Sequence, residues 1–350
     1  MDIVENELKK ISLAAAYSFL NQNPEENLPR LLDWLDHYMS KDVLSKQRAF
    51  FREITEKKDG NWYRLLVSLW TDLDDDMRRA LFENIVINAN ALAAHTIRDN
   101  RARYQCNIPW IMTLSLGEGP EGLGFDDCDA IIMQAKALGT FMFTFAGEEP
   151  LRSKEALIAL CNKNRDCEFM VFTDGTLIDE DFVRQVLRVK NLVIALKTPD
   201  GRMGEGLRGQ AALLRAHRVP FAAICSYDRE DQQKFAQEAY FDDLIENGVK
   251  MVFLLSSLPD EEDIVYQKAK EYRKSKVILS IHFCKDRDMI GGCVAGGRYY
   301  CHINGRGDAE PCFFVHTSDT NVREKSLLEA YRAPVFLSYY GSCPACPAIR

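Results

Sequence analysis

The sequence predicts an α/β chain built on a complete or partial (β/α) barrel. Three features carry that prediction: short apolar runs beginning at Pro109, amphipathic helical patterns fitted between them, and an end to the alternation near Met289. The strand candidates are PWIMTLSL, TFMFTFA, EFMVFT, LVIALK, PFAAICSY, KMVFLLS and KVILSIHF. Runs apolar on both faces belong to a parallel sheet covered by helices on both sides. The helices between them are DDCDAIIMQAKALG, SKEALIALCNKN, DEDFVRQVLRV, GQAALLRAHR, EAYFDDLIENG and EEDIVYQKAKEYRK. Six or seven such units fit a barrel, and a doubly wound open sheet is the second reading.

Residues 1–105 read as a helical region ahead of the barrel. ISLAAAYSFL, LPRLLDWLDHYM, NWYRLLVSLW and MRRALFENIVINANALAAHTI carry apolar residues at helical spacing. Pro, Gly and Asn interrupt the period at NQNPEEN and KKDGN. The barrel is expected over 106–288 and a small C-terminal unit over 289–350. In that unit, GGRYYCHING and DAEPCFFVHT read as a β-hairpin across Asn304–Gly307, followed by the short helix REKSLLEAYR.

Composition narrows the function classes. The chain has 350 residues, 47% of them hydrophobic and 27% charged, enough for a large core. A net charge of −8 argues against broad nucleic-acid binding, which needs a basic face. No apolar run approaches the ~20 residues that span a bilayer. The N-terminus, MDIVENELKK, is polar where a secretory signal would be basic and then apolar. The expectation is a cytoplasmic protein that binds neither nucleic acid nor membrane.

In a reducing compartment the eleven cysteines read as thiols rather than disulfides. Cys106, Cys128, Cys161, Cys167, Cys225, Cys284 and Cys301 are scattered singly through apolar or helical patterns and read as packing residues. Cys293, Cys312, Cys343 and Cys346 differ. The first two enclose the expected hairpin, with Gly307 ahead of Cys312, and the last two form C-x-x-C, whose turn brings both sulfurs to one side. Four thiolates suit tetrahedral zinc or one iron–sulfur cluster.

Taken together, NIPW leading into the first strand, a G-E-x-P element after the second, FTDGTLIDEDF after the third and GGCVAGGRYYCHINGRGDAEPCFF near the end resemble the radical S-adenosylmethionine (radical SAM) proteins. The closer resemblance is to those with a C-terminal SPASM or twitch domain. It implies a partial (β/α)6 barrel and one auxiliary 4Fe–4S cluster on Cys293, Cys312, Cys343 and Cys346, with zinc as the alternative metal. The sequence departs from that family at its catalytic motif. The loop after the first strand, LSLGEGPEGLGFDD, holds no cysteine where the family has C-x-x-x-C-x-x-C, and Cys106 and Cys128 flank it at the wrong spacing. The family's GGEP element, which contacts the methionine amino group, reads Gly147-Glu148-Glu149-Pro150. Gly147, Glu149, Pro150 and Asp174 are therefore degenerate S-adenosylmethionine positions. Ordinary radical SAM catalysis is not expected, because a loop without thiolates cannot hold the cluster that donates the electron.

Other candidates sit at the strand ends, where barrels place their chemistry. Glu118, Glu148, Glu149 and Asp174 would gather at the mouth as an acid–base or cation-binding set, although solvated loop residues and a structural Glu149 are the plainer expectation. Lys197 ends a strand there and could bind an anion or remain solvated. His302 and His316 flank Cys312 and could ligate a metal, or simply pack or stay exposed. Arg298 and Arg323 lie near the cysteine segment. Gly204–Gln210 lacks the Gly-Lys-Ser/Thr ending of a phosphate loop. No Ser-His-Asp order and no H-E-x-x-H are found. The leading expectation is a degenerate radical-SAM/SPASM-like protein that binds a peptide or a partner enzyme, or passes electrons to one. The alternatives are a non-radical enzyme using the barrel mouth, with or without S-adenosylmethionine, and a structural zinc protein.

Overall fold

The computed structural model describes residues 3–38, 52–117, 122–287 and 291–341. The leading region includes α1 (Ile3–Gln22), α2 (Pro24–Tyr38), α3 (Asn61–Asp72), α4 (Asp75–Leu81) and α5 (Ala93–Tyr104), with a π-helical stretch, Phe82–Leu92, joining the last two. Leu20, Leu28 and Tyr63 form a separate small core among α1, α2 and α3.

The period over Met77–Ile97 predicts one α-helix, and the structure inserts the π stretch into it. Its wider winding is visible where Ala93 N–H bonds to the Asn88 carbonyl, five residues back. The reason lies in tertiary contact. Asn84 Nδ2 donates to the Cys167 carbonyl (3.0 Å), Asn88 Nδ2 to the Asp166 carbonyl (2.9 Å), and the Ala89 carbonyl accepts from Trp110 Nε1 (3.3 Å). The π stretch lies where these three groups meet the barrel, and its wider turn spans them.

Strand and helix then alternate: β1 (Ile111–Ser115), α6 (Phe125–Leu138), β2 (Met142–Ala146), α7 (Lys154–Lys163), β3 (Glu168–Thr173), α8 (Glu180–Val189), β4 (Leu192–Lys197) and α9 (Glu205–Ala216). β5 (Phe221–Ser226), α10 (Gln232–Phe235), α11 (Glu238–Glu246), β6 (Met251–Leu255), α12 (Ile264–Tyr272) and β7 (Leu279–His282) follow. Helix boundaries follow local chemistry. Asp179 caps α8 by accepting from Phe182 N–H at 2.7 Å, and Gly139 ends α6 at φ +109°, which costs glycine little.

The sheet runs β7-β6-β5-β4-β3-β2-β1-β8-β9, with β1–β7 parallel in chain order. Each crossover therefore steps the same way, and the sheet curls into an open partial TIM-like barrel. A doubly wound sheet would reverse direction midway. The outer face packs Phe143, Phe145, Phe169, Val171, Ile194 and Leu254 against the helices. The luminal face carries Met170, Phe172, Ala195, Ala222, Ile224 and Phe253.

After Met289 the chain forms the expected hairpin, but as part of the same sheet. β8 (Tyr300–Ile303) pairs parallel with β1, and β9 (Ala309–Glu310) pairs antiparallel with β8. Gly307, between them, has φ +91°, a backbone that only glycine adopts without strain. α13 (Leu327–Tyr331) and α14 (Pro334–Leu337) complete the described chain, and Tyr331 is fully buried in the main core. No described helix is long and apolar enough to cross a membrane.

The N-terminal helices bind the N-terminal ends of the strands. Asn61 Nδ2 donates to the Arg273 and Lys276 carbonyls, just before β7, at 2.9 and 2.8 Å. Asp76 pairs with Lys190 before β4, and Asp72 with Lys250 before β6. That end is occupied, so any site on the barrel opens at the C-terminal strand ends.

Candidate functional site

At the mouth, the turn after β2 is shaped by Gly147, whose φ is +132°; a Cβ there would lie 3.2 Å from the Leu116 carbonyl. Glu148 is exposed and pairs with Arg152 at 3.4 Å. Glu149 turns inward and is buried. Its carboxylate accepts from Leu151 N–H (3.0 Å), the Thr173 hydroxyl (2.8 Å) and Asp174 N–H (2.8 Å). It is thus a clamp between the ends of β2 and β3. Pro150 begins the short 3-10 turn that follows.

Asp174 accepts from the amide and hydroxyl of Thr176 at 2.8 and 2.6 Å. Partial burial pushes its carboxyl up, but the Thr176 donors outweigh burial and Lys197 adds to them, so it titrates below its ordinary value. Lys197 leans across from the end of β4 and donates to the carbonyls of Gly147 (3.3 Å) and Glu148 (2.7 Å). Glu149, Asp174 and Lys197 are therefore brought together, Glu148 points to solvent, and Glu118 lies outside the described residues.

A second polar group at the mouth is not legible in the sequence. Tyr227 after β5, Asp263 at the N-terminus of α12 and His282 at the end of β7 converge. The Tyr227 hydroxyl lies 3.0 Å from Asp263 Oδ1 and 2.9 Å from His282 Nε2, and Lys285 Nζ lies 3.3 Å from Asp263. Burial raises the Asp263 carboxyl, but hydrogen bonds from His282 and Tyr266 N–H overcome it and hold it ionised. Burial lowers His282, whose Nδ1 has no partner.

In the C-terminal segment, Cys312 is buried and Cys293 half-buried, and both belong to one apolar cluster with Ala295, Tyr300 and Tyr339. Phe314 N–H approaches Cys312 Sγ at 3.3 Å. Arg298 Nη1 donates to the Cys293 carbonyl at 2.8 Å. Asn107 Nδ2 joins Gly296 and Tyr339 by donating to both carbonyls, at 3.2 and 3.0 Å. Cys343 and Cys346 lie outside the described residues. Among the described residues, no three His, Cys, Asp or Glu side chains are grouped for a metal ion. Of the seven cysteines read as packing residues, Cys106, Cys128, Cys161, Cys167, Cys225 and Cys301 are buried and Cys284 is half-buried. Burial pushes the Cys225 and Cys301 thiols up to about 12, which makes them unreactive.

His302 and His316 both meet Glu310. His302 Nδ1 is 2.8 Å from Glu310 Oε2 and His316 Nδ1 is 3.2 Å from the same oxygen, while Asn304 Nδ2 donates to Oε1 at 2.9 Å. On its other side, His302 Nε2 lies 2.9 Å from Ser115 Oγ, at the end of β1. Burial works against the Glu310 charge, but these donors prevail and keep its carboxyl below the ordinary value. Arg323 bridges the segment to α6, with Nη2 2.8 Å from Asp127 Oδ2 and 3.2 Å from the Gly122 carbonyl. Only the strand register brings Ser115 and His302 together, so no pattern along the chain marks the set.

No family model matches the chain, and no curated protein matches it. Solved structures do. Streptococcus suis SuiB aligns with a TM-score of 0.54 over 86% of this chain and 79% of that one, at 14% identity. SuiB bound to precursor peptide SuiA aligns with a TM-score of 0.51 over 70% of each chain, at 15% identity. SuiB bound to S-adenosylmethionine aligns with a TM-score of 0.49 over 69% of this chain and 68% of that one, at 16% identity. The chain thus shares the fold of SuiB.

Proposed function

We propose that the chain is a radical-SAM-like protein that binds a peptide or a partner enzyme. In this reading it carries one auxiliary 4Fe–4S cluster on Cys293, Cys312, Cys343 and Cys346 and has lost the catalytic cluster. The observation that carries the cluster assignment is the apolar group that unites Cys293, Cys312 and Tyr339, because Tyr339 stands four residues before Cys343. The donor set fits. Cys312 is enclosed by apolar side chains and receives a backbone N–H, the kind of bond that stabilises a cluster thiolate. Arg298 and Asn107 hold the surrounding backbone, while Tyr300 and Phe314 shield the sulfur from water. When bound, such a cluster supplies one-electron chemistry.

Loss of the catalytic cluster is supported by the absence of cysteine from the β1–α6 loop. The Lys197 ammonium also engages the Gly147 and Glu148 carbonyls, in the element that the resemblance assigns to the methionine amino group. S-adenosylmethionine is therefore left out of this reading. Peptide binding draws on the fold shared with SuiB, whose structure with precursor peptide SuiA is among the likenesses above.

The test is anaerobic purification with iron, sulfide and zinc measured per chain, for the wild type and for Cys343→Ala/Cys346→Ala. About four irons with matching sulfide, lost in the variant, is the expected result. Zinc alone would make the segment structural and overturn the redox reading. A second cluster's worth of iron would overturn the loss of the catalytic site.

A further inference from the structure

Ser115, His302 and Glu310 stand in the order nucleophile, base and orienting carboxylate. The two contacts, 2.9 Å between Ser115 Oγ and His302 Nε2 and 2.8 Å between His302 Nδ1 and Glu310 Oε2, are the distances such a relay requires. From this geometry we propose that the three residues form an acyl-transfer site at the barrel mouth, acting on a carboxylic ester with an apolar acyl group.

The roles follow from placement. β1 and β8 are parallel, with Thr113 opposite His302, so Thr113, Ser115 and His302 share the luminal face while Leu114 and Ile303 face the helices. Ser115 is the last residue of β1 and half-buried, whereas His302 and Glu310 are 5% and 3% exposed. The hydroxyl is therefore the member that a molecule in the mouth can reach, and the other two are held behind it.

Glu310 is fixed at both oxygens, by Asn304 on one and by the two histidines on the other. With a Glu310 oxygen against Nδ1, that nitrogen is the donor of the pair, and Nε2 is the acceptor facing Ser115. Along the same face lie Met170, Phe172 and Phe253, each partly exposed, and the rings of the latter two stand 6.4 Å apart. Nearer the relay, the Phe313 ring stands 5.1 Å from the His302 ring, so the lumen around it is apolar and suits an apolar acyl group.

The chemistry balances with water as the only co-reactant. Ser115 Oγ bonds to the carbonyl carbon and its proton passes to His302 Nε2. The carbon–oxygen bond of the ester breaks, and the alcohol leaves with that proton. Water then attacks the acyl-serine and gives a proton to His302. Release of the carboxylic acid returns that proton to Ser115. Ser115 and His302 are the catalytic residues, and Glu310 is a positioning residue.

The test uses the full chain as purified and three probes: a fluorophosphonate, p-nitrophenyl butyrate and iodoacetamide. The fluorophosphonate is expected to label Ser115, located by peptide mass spectrometry, and the ester to be hydrolysed. Both are lost in Ser115→Ala at unchanged melting temperature. His302→Gln is expected to slow labelling by roughly 10²-fold, the scale of a general base, and Glu310→Gln by less.

Ser115→Cys reads the same contact without removing the base. The introduced thiol, beside an imidazole, should be alkylated by iodoacetamide at pH 6, well below the ordinary thiol range. That reactivity should vanish when His302→Gln is added and weaken when Glu310→Gln is added, which a merely structural carboxylate would not cause. Failure of the folded wild type to take up fluorophosphonate at Ser115 would overturn the site. So would an introduced thiol that titrates like a free one whether or not His302 is present. Neither result bears on iron and sulfide per chain, so this site and the cluster stand or fall separately.

Discussion

At the N-terminal ends of the strands the chain is tied by asparagines, and at the C-terminal ends by carboxylates and imidazoles. Asn61, Asn84 and Asn191 all reach backbone carbonyls at the closed end, with Asn191 holding those of Cys161, Asn164 and Cys167 at 3.1, 3.0 and 3.0 Å. An amide side chain makes these bonds at any pH and carries no charge into the interior. At the mouth, Glu149, Asp174, Asp263, His282, His302 and Glu310 do the joining. Groups that exchange protons suit chemistry, and they also make stability sensitive to pH. The difference separates an end built to hold from an end equipped to react.

Carboxylates do occur at the closed end, as Asp72 and Asp76 in exposed ion pairs and as one buried acid. Glu168, at the N-terminal end of β3, is fully enclosed; burial raises its carboxyl to about 8, against a smaller opposing bond from Asn84. A neutral acid there serves as another uncharged tie.

The largest effect is expected where both ends share one scaffold. Phe169 lies between the rings of Phe143 and Phe145, at 5.6 and 5.5 Å. Phe169→Ala should cost about 3–5 kcal/mol in urea unfolding, because the cavity in the sheet–helix layer collapses only in part. A loss below about 1 kcal/mol would mean that this layer is not the common support.

Glu149→Ala comes next, at about 2–3 kcal/mol, since it strands a buried hydroxyl and backbone N–H groups without an acceptor. Glu149→Gln should recover part of that loss. Near-zero cost for the alanine variant would show that the carboxylate is held for a ligand rather than as a clamp.

Glu168→Gln tests the residue that breaks the pattern. Its folded value, about 8, lies above the ordinary 4.5, so between those values the folded chain holds a proton that the unfolded chain has released. This contribution is complete below about pH 4.5 and is lost as pH rises through about 8. The wild type should therefore lose more stability than Glu168→Gln between about pH 5 and 9. Parallel curves for the two would remove Glu168 as the cause.

The smallest effect belongs to the exposed pairs at the closed end. Asp76→Ala removes a contact to Lys190 in which both side chains are substantially exposed. It should cost about 0.5 kcal/mol and fade in high salt. A larger, salt-independent loss would show that the helices are docked mainly by charge.

Much of this fold is legible in the sequence. Each of the seven apolar runs from Pro109 onward forms a strand of the parallel sheet, and the six helical patterns fall between them. A run apolar on both faces has few other ways to be buried, so its periodicity speaks for its structure. The mouth is legible only in outline. Glu149 and Asp174 stand out as strand-end carboxylates, yet nothing local marks Glu149 as the inward one and Glu148 as the exposed one. His302 stands out beside Cys312, but nothing local connects it with Ser115, 187 positions away. The hairpin is expected as part of a separate C-terminal unit, whereas β8 continues the barrel sheet beside β1.

By itself, then, the sequence determined the alternation of strands and helices, the leading helical region, the hairpin at Gly307 and the cysteine spacing. All of these depend on the character of residues within about one element of each other. The tertiary structure alone decided the π-helical winding at Phe82–Leu92, the inward turn of Glu149, and the meeting of Ser115 with His302 and Glu310. These depend on register between strands far apart in the chain, and a shift of one residue would turn every side chain to the opposite face.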